Sequence, residues 1–233
     1  MSGLRDLKGT IGRVAASGSL AGVALLVTIT IGLVGVPADA AQGDVQRIMY
    51  VHVPSAWLAY LAFFVTLVGG VLYLWRRTLT YDRVAAASAE IGLMFTGVAI
   101  LSGAIWGKAT WGKWWDWDPR LTTTAILFLI YAGYLLLRAS IVDRHRRARL
   151  SAVLGVVGFA NVPIVHFSVL WWRGLHQPPT VIRPGDPTID HLLLAVLMAN
   201  VISFTLLYAW LLRRRTELET LRDRAEITLE PSP

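Results

Sequence analysis

The chain has 233 residues, of which 55% are hydrophobic and only 16% charged, a balance too apolar for a soluble domain of that length. Its net charge of +7 is accounted for by basic loops on one side of a bilayer and by anionic lipid, so nucleic acid is excluded as a partner. The absence of cysteine excludes disulfides and thiolate metal sites and leaves histidine as the main soft ligand.

Crossing a bilayer takes roughly 20 apolar residues, and six runs qualify. We therefore expect an all-α polytopic membrane protein with six transmembrane helices at about 14–36, 53–75, 88–106, 119–138, 150–172 and 191–212, forming one domain over 1–233 with a tail at 213–233. Arg5, Lys8 and Arg13 precede the first run, which places the N-terminus in the cytoplasm. Ala38-Asp39-Ala40 resembles a signal-peptidase site. The 23-residue run from 14 to 36 exceeds a cleaved signal's usual core of about 7–15, so retention of the span is expected.

His52 is expected at the outer mouth of the second span, with Pro54 in that helix's first turn. Arg76, Arg77 and Arg83 read as a short basic loop, and Glu90 near the inner end of span three reads as paired with Arg83 or snorkelling. The stretch after span three holds five of the ten tryptophans between Trp106 and Trp117. If it is helical, Trp111, Trp114 and Trp115 share one face, a platform for a flat ligand; an interfacial aromatic belt is the other reading. Asp118-Pro119 reads as an N-cap followed by an N1 proline opening span four.

The inner loop 143–149 is strongly basic, which makes His145 a solvated loop residue. Asn161, Pro163 and His166 predict a kink in the outer half of span five, with His166 hydrogen-bonded nearby. A Gly/Pro-rich outer loop carries His176, Pro178 and Pro179. Span six opens at His191 and ends in Arg213-Arg214-Arg215, followed by a tail that reads as a solvated helix or disorder. Of 22 Lys and Arg residues, 16 then lie on the inner side and 6 on the outer, which sets both termini in the cytoplasm and the Trp-rich loop outside.

From Trp111 to Thr122 the residues read W-G-x-W-W-x-W-D-x-R-L-T. This resembles the tryptophan-rich signature of the haem-handling membrane proteins of cytochrome c maturation, and the Arg-Leu-Thr ending resembles the CcmC branch. The segments around His52 (Arg47 to Pro54) and His176 (Trp171 to Gln177) resemble the histidine-bearing segments that flank the motif in that family, so the resemblance covers essentially the whole chain.

The resemblance implies that His52 and His176 are axial ligands of haem iron, with Trp111, Trp114, Trp115, Trp117, Asp118 and Arg120 completing the haem-binding surface. His166 and His191 also fall on the outer half and remain alternative ligands. Arg120, Lys113, Lys108, Arg47 and Arg173 are all candidates to meet haem propionates. The family places such a protein in the bacterial inner membrane, where it presents haem b transiently at the extracytoplasmic face and passes it to the chaperone CcmE, alongside the ABC transporter CcmA with CcmB and the small subunit CcmD. Transfer rather than catalysis is implied, with assistance in covalent haem attachment to CcmE left open. A transmembrane haem exporter, a b-type cytochrome subunit of an electron-transfer complex and a scaffold with an aromatic belt are the rival readings.

Overall fold

The computed structural model describes residues 17–177, 180–181 and 185–229, with side chains left out at 224 and 226–229. The basic flank of Arg5, Lys8 and Arg13, the first residues of span one, Pro178 and Pro179, and the end of the tail lie outside the described residues. Among those described the chain is all-α, with six helical segments long and apolar enough to cross a membrane: a multi-pass membrane protein. The helices are α1 (Ser17–Gly35, ending in a π-turn), α2 (Met49–Arg76), α3 (Leu79–Trp111), α4 (Pro119–Ala139), α5 (Arg144–Phe159), α6 (Asn161–Trp171) and α7 (His191–Leu229). Helices α5 and α6 together make one span.

Lipid offers no hydrophobic drive between helices, so close packing and internal hydrogen bonds hold the bundle. Buried Ala85, Ala86, Ala87 and Ala89 keep the surface of α3 small, and α3 makes the most extensive helix packing in the molecule, with α2. Ser88 Oγ donates to the Ala62 carbonyl at 2.7 Å and receives the Tyr208 hydroxyl at 2.7 Å, tying α3 to α2 and α7. Asn200 on α7 donates to Thr28 O at 3.1 Å, and Phe63 stacks on Tyr131 at 3.6 Å between ring centroids.

Several helices differ from the runs read in the sequence. A 3-10 turn, Asp44–Ile48, feeds directly into α2, so the helix starts at Met49; His52 is inside its first turns and Pro54 is an interior residue. Helix α3 begins at Leu79, leaving only Arg77 and Thr78 as a connection. Arg83 is helical, and its guanidinium holds Asp223 at 2.7 Å. Glu90 pairs with Arg215 rather than Arg83. The basic stretch after Asp143 is the first turns of α5, and His145 accepts the Tyr73 hydroxyl on its carbonyl at 3.1 Å, so it is not a free loop residue. Where the sequence predicts a kink, the fifth span is interrupted at Ala160, and Asn161 Nδ2 donates to Thr123 O at 2.9 Å across to α4.

Candidate functional site

A cavity of about 290 Å³ lies at the end of the bundle where the connections α1–α2, α3–α4 and α6–α7 meet. His52 reaches it from α2, Trp106 and Trp111 from α3, Arg120 from α4, His166 from α6, and His176 from the segment after α6. Residues far apart in sequence converge there because an even number of crossings returns each of these connections to the same end.

Both histidines are fixed through the same ring nitrogen. Ser102 Oγ spends its proton on the Val98 carbonyl at 2.7 Å, so it accepts from His52 Nδ1 at 3.1 Å. The His52 ring lies so close to Gly103 that a Cβ there would approach its Cε1 to 2.8 Å; only glycine leaves room for the imidazole. His176 Nδ1 donates to Asp118 Oδ1 at 2.9 Å. In each ring the proton sits on Nδ1, which leaves the Nε2 lone pair available. A bonded Nδ1 is what fixes the orientation of imidazoles that bind metal through Nε2.

Asp118 is the N-cap expected from the Asp-Pro pair, accepting from Arg120 N at 2.8 Å, and it also accepts from Leu175 N at 2.7 Å. Its carboxylate presses against Gly174, where a Cβ would overlap it. Burial alone would raise the Asp118 pKa, but His176 and the backbone N–H groups of Leu175, Arg120 and Leu121 outweigh it and hold the carboxyl below its usual range. For His176, burial is the largest influence and pushes the imidazole down; Asp118 pulls it up and Arg120 pushes it down again, leaving it below its ordinary 6.5. The imidazole is therefore neutral near pH 7 and able to act as a ligand.

Five cations were open as anion partners, and their surroundings separate them. Arg47 donates to the carbonyls of Leu33 and Val36 at 2.7 and 3.0 Å, fastening the end of α1. Lys108 caps α3 through Gly112 O at 3.0 Å, Lys113 pairs with Asp116 at 3.1 Å, and Arg173 is exposed away from the cavity walls. Arg120 alone of the five lines the cavity. It gives one N–H to the His166 carbonyl at 3.0 Å, and its buried Nε has no partner among the described residues.

The tryptophans do not form one platform. Helix α3 ends at Trp111, with Gly112 left-handed at φ 74°, so Trp114 and Trp115 leave the helical register. Trp111 stays in the wall and meets the His176 ring edge-on at 4.8 Å. Trp114 and Trp117 are 60% and 78% exposed, and Trp115 packs edge-on against Trp117 at 5.8 Å, making an outer rim. His191 is exposed and takes no part in the cavity. His166 lines it and meets Tyr60 edge-on at 6.4 Å, with no side-chain hydrogen bond of the kind expected near the kink among those described. Sequence reasoning missed Ser102, Gly103 and Tyr60. The spacing of Gly103, Trp106, Gly107 and Thr110 on α3 carried a signal, since it is one helical stripe, and all four line the cavity.

The matching family is CcmC, heme exporter protein C, whose model covers residues 7–229. Similar relatives include heme exporter protein C of Bradyrhizobium diazoefficiens, 42% identical over 86% of this chain and 78% of the relative. Those of Haemophilus influenzae (38%, over 88% and 83%) and Escherichia coli K12 (35%, over 81% and 78%) are also similar. With the family pattern and the relatives both spanning most of its length, the chain belongs to the heme exporter protein C family, CcmC.

Proposed function

We propose that the cavity takes haem b as transient cargo, with His52 and His176 as axial ligands, and that the chain passes it to the chaperone CcmE in cytochrome c biogenesis. One observation carries this reading: two imidazoles on separate elements, each with Nδ1 already bonded, face one cavity with Nε2 available. Among the described residues there is no group of three or more His, Cys, Asp or Glu fit to hold a bare ion. Two imidazoles suit a metal that brings its own equatorial donors, as a porphyrin does. Arg120 has donors for a propionate, and Trp111 and Val53 offer apolar walls. Trp114, Trp115 and Trp117 form the rim at which a partner would meet the ring edge.

In this reading the cavity end is extracytoplasmic and both termini are cytoplasmic, as the distribution of Lys and Arg supports. The membrane is the bacterial inner membrane, and CcmA with CcmB and CcmD are partners. The chain contributes positioning rather than bond chemistry of its own. The exporter reading needs polar groups along a route at mid-depth, where only Asn161, His166 and Asn200 are candidates; the amide N–H groups of Asn161 and Asn200 are bonded to carbonyls of neighbouring helices, and His166 already lines the cavity. The cytochrome reading places both ligands within the bundle, whereas His176 lies beyond the end of α6.

The test is a visible spectrum of purified protein, wild type beside His52→Ala and His176→Ala, with and without CcmE. A low-spin haem spectrum lost or altered in both variants, with transfer to CcmE lost, is expected. Identical spectra in all three would remove the ligand assignment.

A further inference from the structure

The cavity exists because α6 leaves α2. On α2 the positions His52, Ala56, Ala59, Phe63, Thr66 and Gly70 alternate by four and three and so share one stripe. In its inner half that stripe packs on the fifth span: Gly70 lies against the backbone of Ala152 and Thr66 against Gly155. Beyond the interruption at Ala160, α6 packs on α4 and makes no comparable packing with α2. The outer half of the stripe, His52 and Ala56, is left facing the cavity.

The seam between α2 and α6 is thus closed by side chains rather than by helix packing. Tyr60 and His166 meet edge-on across it, and one turn further in Phe64 meets Phe159 at 6.0 Å. Both upper residues stand where the cavity sector of their helix borders the surface sector. One turn from Tyr60, Phe64 is 51% exposed, and Val68, Val71 and Trp75 continue the outward face. Beside His166, Phe167 and Leu170 are exposed at 40% and 57%. Those exposed residues are apolar and belong to membrane-spanning helices, so the medium outside the seam is hydrocarbon.

We propose that this seam is a lateral portal, with Tyr60 and His166 as its two jambs, through which a flat, largely apolar ring bearing carboxylates enters edge-on from the bilayer. The proposal rests on the reading of the cavity as a haem site and adds the route by which the cargo arrives. Two rings touching edge-on can rotate aside without breaking a backbone hydrogen bond. Behind them Arg120 lines the cavity, its Nε without a partner among the described residues, to meet the ring's anionic edge.

Because the chain has no cysteine, a single introduced thiol can be labelled cleanly. Phe64→Cys, alkylated with pyrene maleimide, plugs the seam without altering a cavity residue; Leu129→Cys, 67% exposed on α4, carries the same label elsewhere. Full-length protein in vesicles is loaded with haem either dissolved in the bilayer or held on albumin in the outer aqueous phase, and appearance of the bound Soret band is timed. Labelled Phe64→Cys should load about tenfold more slowly from the bilayer and reach the wild-type final spectrum, with labelled Leu129→Cys unchanged. An unchanged rate, or equal slowing in both arms, overturns the portal and leaves the site standing. A wild type with no bound spectrum, or one matched by His52→Ala, overturns the site itself and the portal with it.

Discussion

The two ends of the bundle handle charge in opposite ways. At the end away from the cavity, ionic groups are spent on one another. Arg138 clasps Asp82 with both terminal nitrogens at 2.5 and 2.9 Å, Asp223 draws in Arg83 and Arg147, and Arg215 holds Glu90. At the cavity end, among the described residues, Arg120 Nε has no partner, and the two imidazoles are bonded through Nδ1 alone. The end away from the cavity is organised to hold helices together, whereas the cavity end keeps polar groups turned toward the cavity.

On that contrast, the largest effect on stability comes from the end away from the cavity. Arg138→Ala leaves Asp82 buried and unpaired, at a cost of about 3–5 kcal/mol, whereas replacing both by apolar residues of similar size should be nearly neutral; thermal unfolding in detergent distinguishes the two. His52→Ala and His176→Ala should do the reverse, abolishing haem transfer while the protein inserts and melts close to wild type. Equal losses of stability at both ends would erase the distinction.

Asp118 sharpens the comparison, since it serves structure and site together. Asp118→Ala removes the cap of α4 together with the bonds to Leu175 and His176, so it should cost more than the about 1 kcal/mol of a cap alone; Asp118→Asn keeps the capping oxygen but sets an amide N–H against Leu175 N–H, so its cost should be smaller but still measurable. Protonation disables the His176 lone pair, so ligation should hold above its depressed pKa and fade as pH falls through it. The Asp118 carboxylate favours the protonated ring. Asp118→Asn should therefore move the acid midpoint to still lower pH, as a spectral titration would show. The smallest effect on stability is at the rim: Trp114→Ala should stay within about 0.5 kcal/mol of wild type in melting, yet weaken haem presentation to CcmE. Normal chaperone loading in that variant would remove the rim's role.

Much of this arrangement was legible from hydropathy alone. Six crossings put His52, the Trp-rich stretch and His176 at one end, and Asp118-Pro119 announced its own cap. What escaped was whatever depends on register between helices. Trp111, Trp114 and Trp115 have helical spacing, but a left-handed Gly112 ends the helix between them, and spacing is blind to that. His145 and Arg83 looked like loop residues because their charge masked the apolar faces on which α3 and α5 continue. Ser102 and Tyr60 are ordinary helix residues until the packing of α3 and of the fifth span beside α2 sets what they face.

Asp118 also has a mechanical consequence. One carboxylate anchors the segment bearing His176, caps the helix bearing Arg120 and sits flush on Gly174. Any displacement of the stretch after α6 bears on the Leu175 and His176 bonds to this one carboxylate together. The segment bearing His176 is thus held at two adjacent residues by a single group, which couples the orientation of the imidazole to the position of its backbone.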